Sequence, residues 1–181
     1  MLEDEEKIIK AAQLGETEAF NKLYSHYISP IFRFVYMKVS HQEEAEDLTH
    51  EVFLTAWQNI PNYQFKGFPL SSWLYQIARN RVIDHYRLKK NTISLEQADP
   101  DAELIKINSS AETDLDTSLS LVKIRAAMKK LTGDQQDVIL MRFMEELSHK
   151  EIAAAINKSE GAVRLIQHRA INELKKLMDQ E

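Results

Sequence analysis

The sequence predicts an all-α protein: two small helical domains joined by a flexible acidic linker. Three observations carry this expectation. Apolar residues recur three and four apart along most of the chain, and no convincing two-residue alternation of a strand interrupts them. Glycine and proline number four each among 181 residues, while 28% of the residues are charged; this is a helical globular composition, neither fibrous nor disordered. Between residues 91 and 117 the periodicity vanishes and Asn91, Ser94, Asp99-Pro100-Asp101 and Asn108-Ser109-Ser110 take over, which reads as a linker. The predicted division is therefore 1–90, 91–117 and 118–181.

A first short helix is expected from Asp4 to Leu14, with Gly15 as its stop. A longer one follows over Thr17–Val39, its apolar set being Phe20, Leu23, Tyr24, Tyr27, Ile31, Phe32 and Val35. Pro30 should kink or break it, because proline lacks the N–H of a helix interior. Ser40-His41-Gln42-Glu43 has the form of a capping box, so a third helix is expected there, with Ala45, Leu48, Val52, Ala56 and Ile60 on one face and Pro61 as its end. A loop over Asn62–Leu70 containing Gly67 and Pro69 leads to a fourth helix, Ser71–Lys90. The linker, if extended, reaches on the order of 90 Å at about 3.3 Å per residue.

Four helical segments are expected in the last third. They are Leu119–Leu131, a second from the capping box Thr132-Gly133-Asp134-Gln135 to Met144, a third from the capping box Ser148-His149-Lys150-Glu151 to Ile156, and a last from Glu160 to Met178.

Composition and charge narrow the function. There is no cysteine, which excludes disulfides, thiolate zinc sites and cysteine nucleophiles. The start, Met1-Leu2-Glu3-Asp4-Glu5-Glu6, has neither the basic nor the apolar part of a secretion signal, and Val138-Ile139-Leu140-Met141 is too short to span a bilayer. The expectation is a cytoplasmic protein with no membrane insertion. The net charge of −5 argues against a protein that coats nucleic acid indiscriminately. The charge is nonetheless uneven: residues 79–90 gather Arg79, Arg81, Arg87, Lys89 and Lys90 against Asp84 alone. Such a run is either a solvated helix face or a nucleic-acid contact.

Residues 148–170 carry the strongest local pattern, a short Ala-rich helix, a three-residue turn and a longer helix with basic outward positions, which is the form of a helix-turn-helix. Ala153 and Ala154 would let the two helices cross closely, and Ile152, Ile156, Val163 and Ile166 would fill the wedge between them. Ser159 would cap the second helix, while Gly161 and Ala162 would keep its first turn slim. Arg164, Leu165, Gln167, His168 and Arg169 are the candidates for base edges and phosphates, with Lys150 and Lys158 better suited to phosphate. The plainer alternative is an ordinary helical hairpin.

A second constellation spans Asn62 to Lys90. Tyr63, Phe65, Phe68, Trp73, Tyr75 and Tyr86 interleave with Lys66, Arg79, Asn80, Arg81 and Arg87. Rings stack on unpaired bases while cations hold their phosphates. For Trp73 and Leu74 the competing role is core packing, and for Phe65 and Phe68 both roles stay open. A third constellation is the acidic-apolar helix from Glu43 to Leu54, whose acids are either solvated or face a basic partner. Asp47-x-x-His50 and Glu146-x-x-His149 mimic the carboxylate-histidine pairs of di-metal bundles. A real site needs two further inward carboxylates on facing helices, and His149 instead follows a capping serine, so no metal, cofactor or small-molecule substrate is expected.

Taken in order, these segments resemble a bacterial RNA polymerase sigma factor of the sigma-70 family, of its small extracytoplasmic-function (ECF) type. Gly15-Glu16-x-x-Ala19-Phe20-x-x-Leu23-Tyr24 resembles the start of region 2, and Ala45 to Trp57 resembles its polymerase-binding helix. Leu70-x-Ser72-Trp73-Leu74-Tyr75-x-Ile77-Ala78-Arg79-Asn80-x-x-x-Asp84 resembles the promoter-melting and −10 segment. Leu147-Ser148-x-x-Glu151-Ile152-Ala153 and Gly161-Ala162-Val163-Arg164-x-x-x-x-Arg169-Ala170 resemble region 4, the −35 reader.

The resemblance implies a transcription initiation factor and not an enzyme. Asp47, Leu48, His50, Glu51, Phe53 and Leu54 would dock on the coiled coil of the largest subunit of the polymerase core, whose flap is a further contact. Tyr63, Phe65, Phe68, Trp73, Arg79, Asn80, Arg81, Asp84 and Arg87 would hold melted −10 promoter DNA. Lys150, Lys158, Ser159, Arg164, Leu165, Gln167, His168 and Arg169 would engage the −35 element. The family also admits an anti-sigma factor as partner. Departures from the family pattern are Gln136 where Arg is frequent, Ala162 where Thr is common, the pair Gln167-His168, and a short Lys66-Gly67-Phe68-Pro69 loop. They bear on which promoter is read. A classical helix-turn-helix regulator that binds duplex DNA unaided is the alternative, but it has no need of a stacking loop. The acidic linker would keep the free protein off DNA until polymerase separates its two basic surfaces.

Overall fold

The structure, a computed structural model, describes Leu2, residues 4–65, 67–93, 124 and 126–179. Its helices are α1 (Glu5–Gln13), α2 (Thr17–Val39), α3 (Gln42–Asn59), α4 (Leu70–Ile93), α5 (Gly133–Phe143), α6 (His149–Ile156) and α7 (Glu160–Asp179). A 3₁₀ turn, Ile60–Asn62, follows α3, and residues 126–130 are helical ahead of α5. No strand occurs among the described residues. The chain splits into two compact units. The predicted linker 91–117 lies outside the described residues apart from 91–93, which extend α4, and so do residues 119–123 and 125 of the expected helix 119–131.

In the larger unit α2 packs against α1, α3 and α4, and α3 against α4. Ile31, Val35, Ala45, Val52 and Ala78 are fully enclosed there, with Leu23, Phe34, Leu74 and Tyr75 about them. The Phe34 and Tyr75 rings meet edge to face at 5.3 Å, a favoured aromatic geometry. Of the face predicted for α2, Leu23, Tyr27, Ile31 and Val35 are buried, whereas Phe20, Tyr24 and Phe32 are half-buried and Phe34 and Val39 are enclosed instead.

One local expectation is narrowed and another corrected. Of the kink or break expected at Pro30, the break does not occur, since Pro30 sits inside a continuous α2; it deletes a single intrahelical donor, and the buried residues on either side hold the helix together. Ser40 does not cap α3. It ends α2 in the left-handed region, at φ 64°, and so cannot take the extended backbone of an N-cap. His41 occupies that position without a side-chain cap bond.

In the smaller unit both capping boxes form. The Thr132 N–H donates to Gln135 Oε1 at 2.9 Å and the Ser148 N–H to Glu151 Oε2 at 2.6 Å, with the reciprocal bonds to Thr132 and Ser148 also made. Asn157, at φ 54°, ends α6, as residues that tolerate the left-handed region do. Val138, Met141, Ile152, Val163 and Ala170 are enclosed. Ile166 is only half-buried, and Ala155 is buried where Ala154 was expected.

Candidate nucleic-acid and polymerase interfaces

On α3 the acidic-apolar segment separates into two faces. Asp47, His50, Glu51 and Leu54 are exposed, Leu54 at 57%. Leu48 and Phe53, predicted to contact polymerase, are buried instead. Phe53 meets the Tyr24 ring edge on at 4.8 Å. Asp47, His50, Glu51 and Leu54 fall three and four residues apart and share one face, whereas Leu48 and Phe53 lie to either side of it at 3.6 residues per turn. Trp57, outside the predicted set, is 38% exposed and leans on Phe20 at 4.8 Å.

The loop between the 3₁₀ turn and α4 is aromatic and turns at Gly67, whose φ of +74° suits a residue without Cβ. Phe65 is 38% exposed and Phe68 half-buried. Tyr63 and Trp73 pack together at 4.7 Å and are both half-buried, so they form the base of the loop. Burial, reinforced by the Glu5 charge, pushes the Tyr63 hydroxyl up to about 12, keeping it a neutral donor at any working pH. Two residues of α1 that the sequence reading missed hold this loop. Gln13 Nε2 donates to the carbonyls of Ile60 (3.1 Å) and Tyr63 (2.6 Å). Glu5, 3% exposed, accepts from the Tyr27 hydroxyl and, at 2.9 Å, from the Leu70 N–H that opens α4.

Along α4, Asn80, Asp84 and Arg87 follow one another at four and three residues and so share a face. Asn80 and Arg87 are exposed, and Arg87 pairs with Asp84 at 3.2 Å. Arg79 is half-buried. Arg81, predicted to hold DNA, turns toward α3: it donates to Thr55 Oγ1 at 2.8 Å and lies 3.7 Å from Glu51. Two residues assigned to different partners thus face each other. Further along, Glu44 receives Lys89 at 3.0 Å and His85 at 3.1 Å. Burial raises the Glu44 carboxyl, but the Lys89 bond and charge, with His85 and His41, outweigh it and hold the group below the usual carboxylate range.

In the smaller unit α7 presents Gly161, Arg164, Leu165, His168 and Arg169 outward, with Val163 and Ala170 enclosed. Ser159 Oγ accepts the Ala162 N–H at 3.2 Å, the cap that was expected. Several candidate readers are engaged within the unit. Arg164 meets Glu160 at 2.5 Å, Lys158 meets Asp134 at 3.2 Å, and His168 bonds Asn172 at 3.0 Å. Gln167 is half-buried and bonded to His149 at 2.5 Å, a link that sets the turn of one helix against the other. Lys150 is exposed. Gln136, the departure from the family's frequent Arg, donates to the Met128 and Leu131 carbonyls at 3.0 and 3.1 Å and so closes the helical turn before α5.

Among the described residues no three His, Asp or Glu side chains gather as metal ligands, and no helix is long and apolar enough to cross a membrane. The geometry offers two short helices, α6 and α7, joined by a tight turn in one unit. The other presents an aromatic loop ahead of a partly basic helix. These are the two constellations that the sequence likened to sigma regions 4 and 2.

Comparisons with known proteins agree. Sigma-70 region 2 matches residues 23–92 and Sigma-70 region 4 matches residues 127–176. The ECF RNA polymerase sigma factor BldN of Streptomyces coelicolor is 33% identical across 95% of this chain, which spans 65% of that protein's length. SigW of Bacillus subtilis, also an ECF sigma factor, is 30% identical, with 94% of both chains covered. The fold resembles CnrH, solved with the cytosolic domain of CnrY, at a TM-score of 0.73, 20% identity and 96% coverage of both chains. It also resembles the sigma factor RpoE of Bartonella quintana, solved with the anti-sigma factor NepR, at 0.74 and 21%, covering 90% of this chain and 98% of that one. The chain belongs to the sigma-70 family, in its ECF group. Members of this family are transcription initiation factors that direct RNA polymerase to promoters, and they are not enzymes.

Proposed function

We propose that this chain binds RNA polymerase core through the exposed residues of α3, holds melted −10 DNA with its aromatic loop and α4, and reads −35 DNA with α7. Asp47, His50, Glu51, Leu54 and Trp57 form the polymerase face. Phe65 and Phe68 capture unpaired bases, Asn80 and Arg87 hold the strand beside them, and Tyr63 and Trp73 support the loop. Arg164, Leu165, His168 and Arg169 face the duplex, with Lys150 and Lys158 on phosphates. Leu48, Phe53 and Arg81 serve by packing and by tying α3 to α4. The region boundaries are 1–90 and 118–181, with 91–117 passing between them through the polymerase. The protein acts in the cytoplasm, and an anti-sigma factor is a further partner, as NepR is for RpoE.

The observation that carries this reading is the division of labour between the units. A helix-turn-helix needs no stacking loop to bind duplex DNA, and this chain has both. A gel shift on a pool of promoter DNA tests it, with the protein alone, core polymerase alone, and both. A salt-resistant, sequence-selected complex is expected only in the mixture. Selective binding by the protein alone, unchanged by core, would instead define an ordinary duplex regulator.

A further inference from the structure

Helix α1 contains no residue assigned above to DNA or polymerase, yet its two polar inward side chains both end on the base-capture loop. At the loop's entrance, Gln13 Nε2 bridges the carbonyls of Ile60 and Tyr63 at 3.1 and 2.6 Å. At its exit, the Glu5 carboxylate accepts the Leu70 N–H at 2.9 Å, while its other oxygen accepts the Tyr27 hydroxyl of α2. Leu70 is the first residue of α4, so the carboxylate meets one of the unsatisfied donors of that helix and the positive end of its dipole. Glu5 is 3% exposed, and burying a carboxylate is costly unless its oxygens find donors, as both do here. The described residues between these points, 63–65 and 67–69, form no helix or strand of their own. The loop's described hydrogen bonds to the rest of the unit include these end-point links to α1.

We propose that α1 is a positioning strut: Glu5 and Gln13 set the spacing and direction of the two ends of the loop, and thereby hold Phe65 and Phe68 in the geometry that captures an unpaired base. Glu5 and Gln13 touch no DNA and act only through the loop. The proposal rests on the base-capture reading of that loop, and the test below separates the two.

The test uses the full chain bound to core polymerase, with a single-stranded oligonucleotide carrying the non-template −10 sequence selected by the gel shift as the probe. Glu5→Ala should weaken oligonucleotide capture about tenfold and Gln13→Met about threefold, in keeping with the loss of hydrogen bonds to buried and half-buried backbone groups. Affinity for core and for duplex −35 DNA should stay at the wild-type value. Glu5→Gln, whose carbonyl still accepts from Leu70, should recover most of the loss. Tyr27→Phe, which leaves the Leu70 bond intact, should capture like wild type. Backbone hydrogen exchange over 63–72 should rise in Glu5→Ala and Gln13→Met. If Glu5→Ala does not fold, Gln13→Met decides alone. Phe65→Ala is the reference for the underlying reading: should it capture the oligonucleotide as well as wild type, the base-capture role itself falls. Should Phe65→Ala lose capture while the α1 variants keep it, even with faster exchange in the loop, the strut falls and the capture role stands.

Discussion

The two units are held in form by different means. In the larger one, side chains far apart in sequence do the fixing: Glu5 reaches Leu70, Gln13 reaches Tyr63, Arg81 reaches Thr55 and Glu44 gathers Lys89 and His85. In the smaller one most of the fixing is local, with two capping boxes each closed within four residues, a left-handed stop at Asn157 and a serine cap on α7, and the longer links are Gln167 to His149 and Lys158 to Asp134. On the proposed function, the difference follows from the tasks. A helix reader needs only short helices at a set angle, which caps and a few apolar contacts define. An irregular loop that must present rings to a flipped base has no internal ladder, so its geometry has to be imposed from elsewhere in the fold.

The sharpest way to break this comparison is to attack the small core of the reader. Ile152 is 0% exposed, and Ile152→Ala should cost about 2–4 kcal/mol. Thermal melting would register this as early loss of the helical signal of the smaller unit together with −35 affinity. Capture of the −10 oligonucleotide should be unaffected. A smaller effect is expected from the caps. Ser148→Ala removes one half of a capping box and should lower stability by about 1 kcal/mol, measurable in urea titration, with the midpoint falling at unchanged slope.

A charge substitution probes function with little change in fold. Glu160→Gln releases Arg164 from its exposed partner, and duplex DNA affinity should rise about threefold, since such a pair is worth well under 1 kcal/mol and removes one cation from the phosphates. An unchanged affinity in a salt series would mean that Arg164 does not face the backbone.

The smallest effect belongs to the Glu44 cluster of the larger unit. Its carboxyl is held below the ordinary value of 4.5 in the fold, so its contribution is complete above that pH and is lost as pH falls through the depressed value. At neutral pH, Glu44→Gln should lower stability by a few tenths of a kcal/mol given the partial exposure of the pair, read as a slight fall in melting temperature. As pH falls below 4.5 and on through the depressed value, the two proteins should converge. A constant gap across that range would show that the carboxylate charge is not what joins α3 to α4.

How far the sequence could be read follows the same division. The capping boxes at Thr132 and Ser148 and the cap at Ser159 were legible because cap and capped group are neighbours along the chain. The order of the helices and the outward face of α7 were legible from periodicity. Glu5 was not legible: an acid at a helix start ordinarily faces water, and its partner lies 65 residues on. Ser40 misled because the residue pattern of a capping box does not reveal which of two adjoining helices claims the serine. Leu48 and Phe53 were assigned to a partner because the motif marks the whole helix, whereas burial divides it into faces. Gln167 was read as free for bases, and its bond to His149 depends on the crossing of two helices that spacing alone does not fix.

The two tryptophans of the chain are Trp57 and Trp73. One borders the exposed face of α3, leaning on Phe20, and the other supports the capture loop against Tyr63. The protein therefore comes with its own optical probes. Red-edge emission reports on the larger unit only, since the smaller one contains no indole. Replacing Trp57 with phenylalanine leaves a lone emitter beneath the loop, and replacing Trp73 leaves one at the polymerase face. Docking and strand capture can then be timed separately, one in each variant, without a dye on any surface that either event uses.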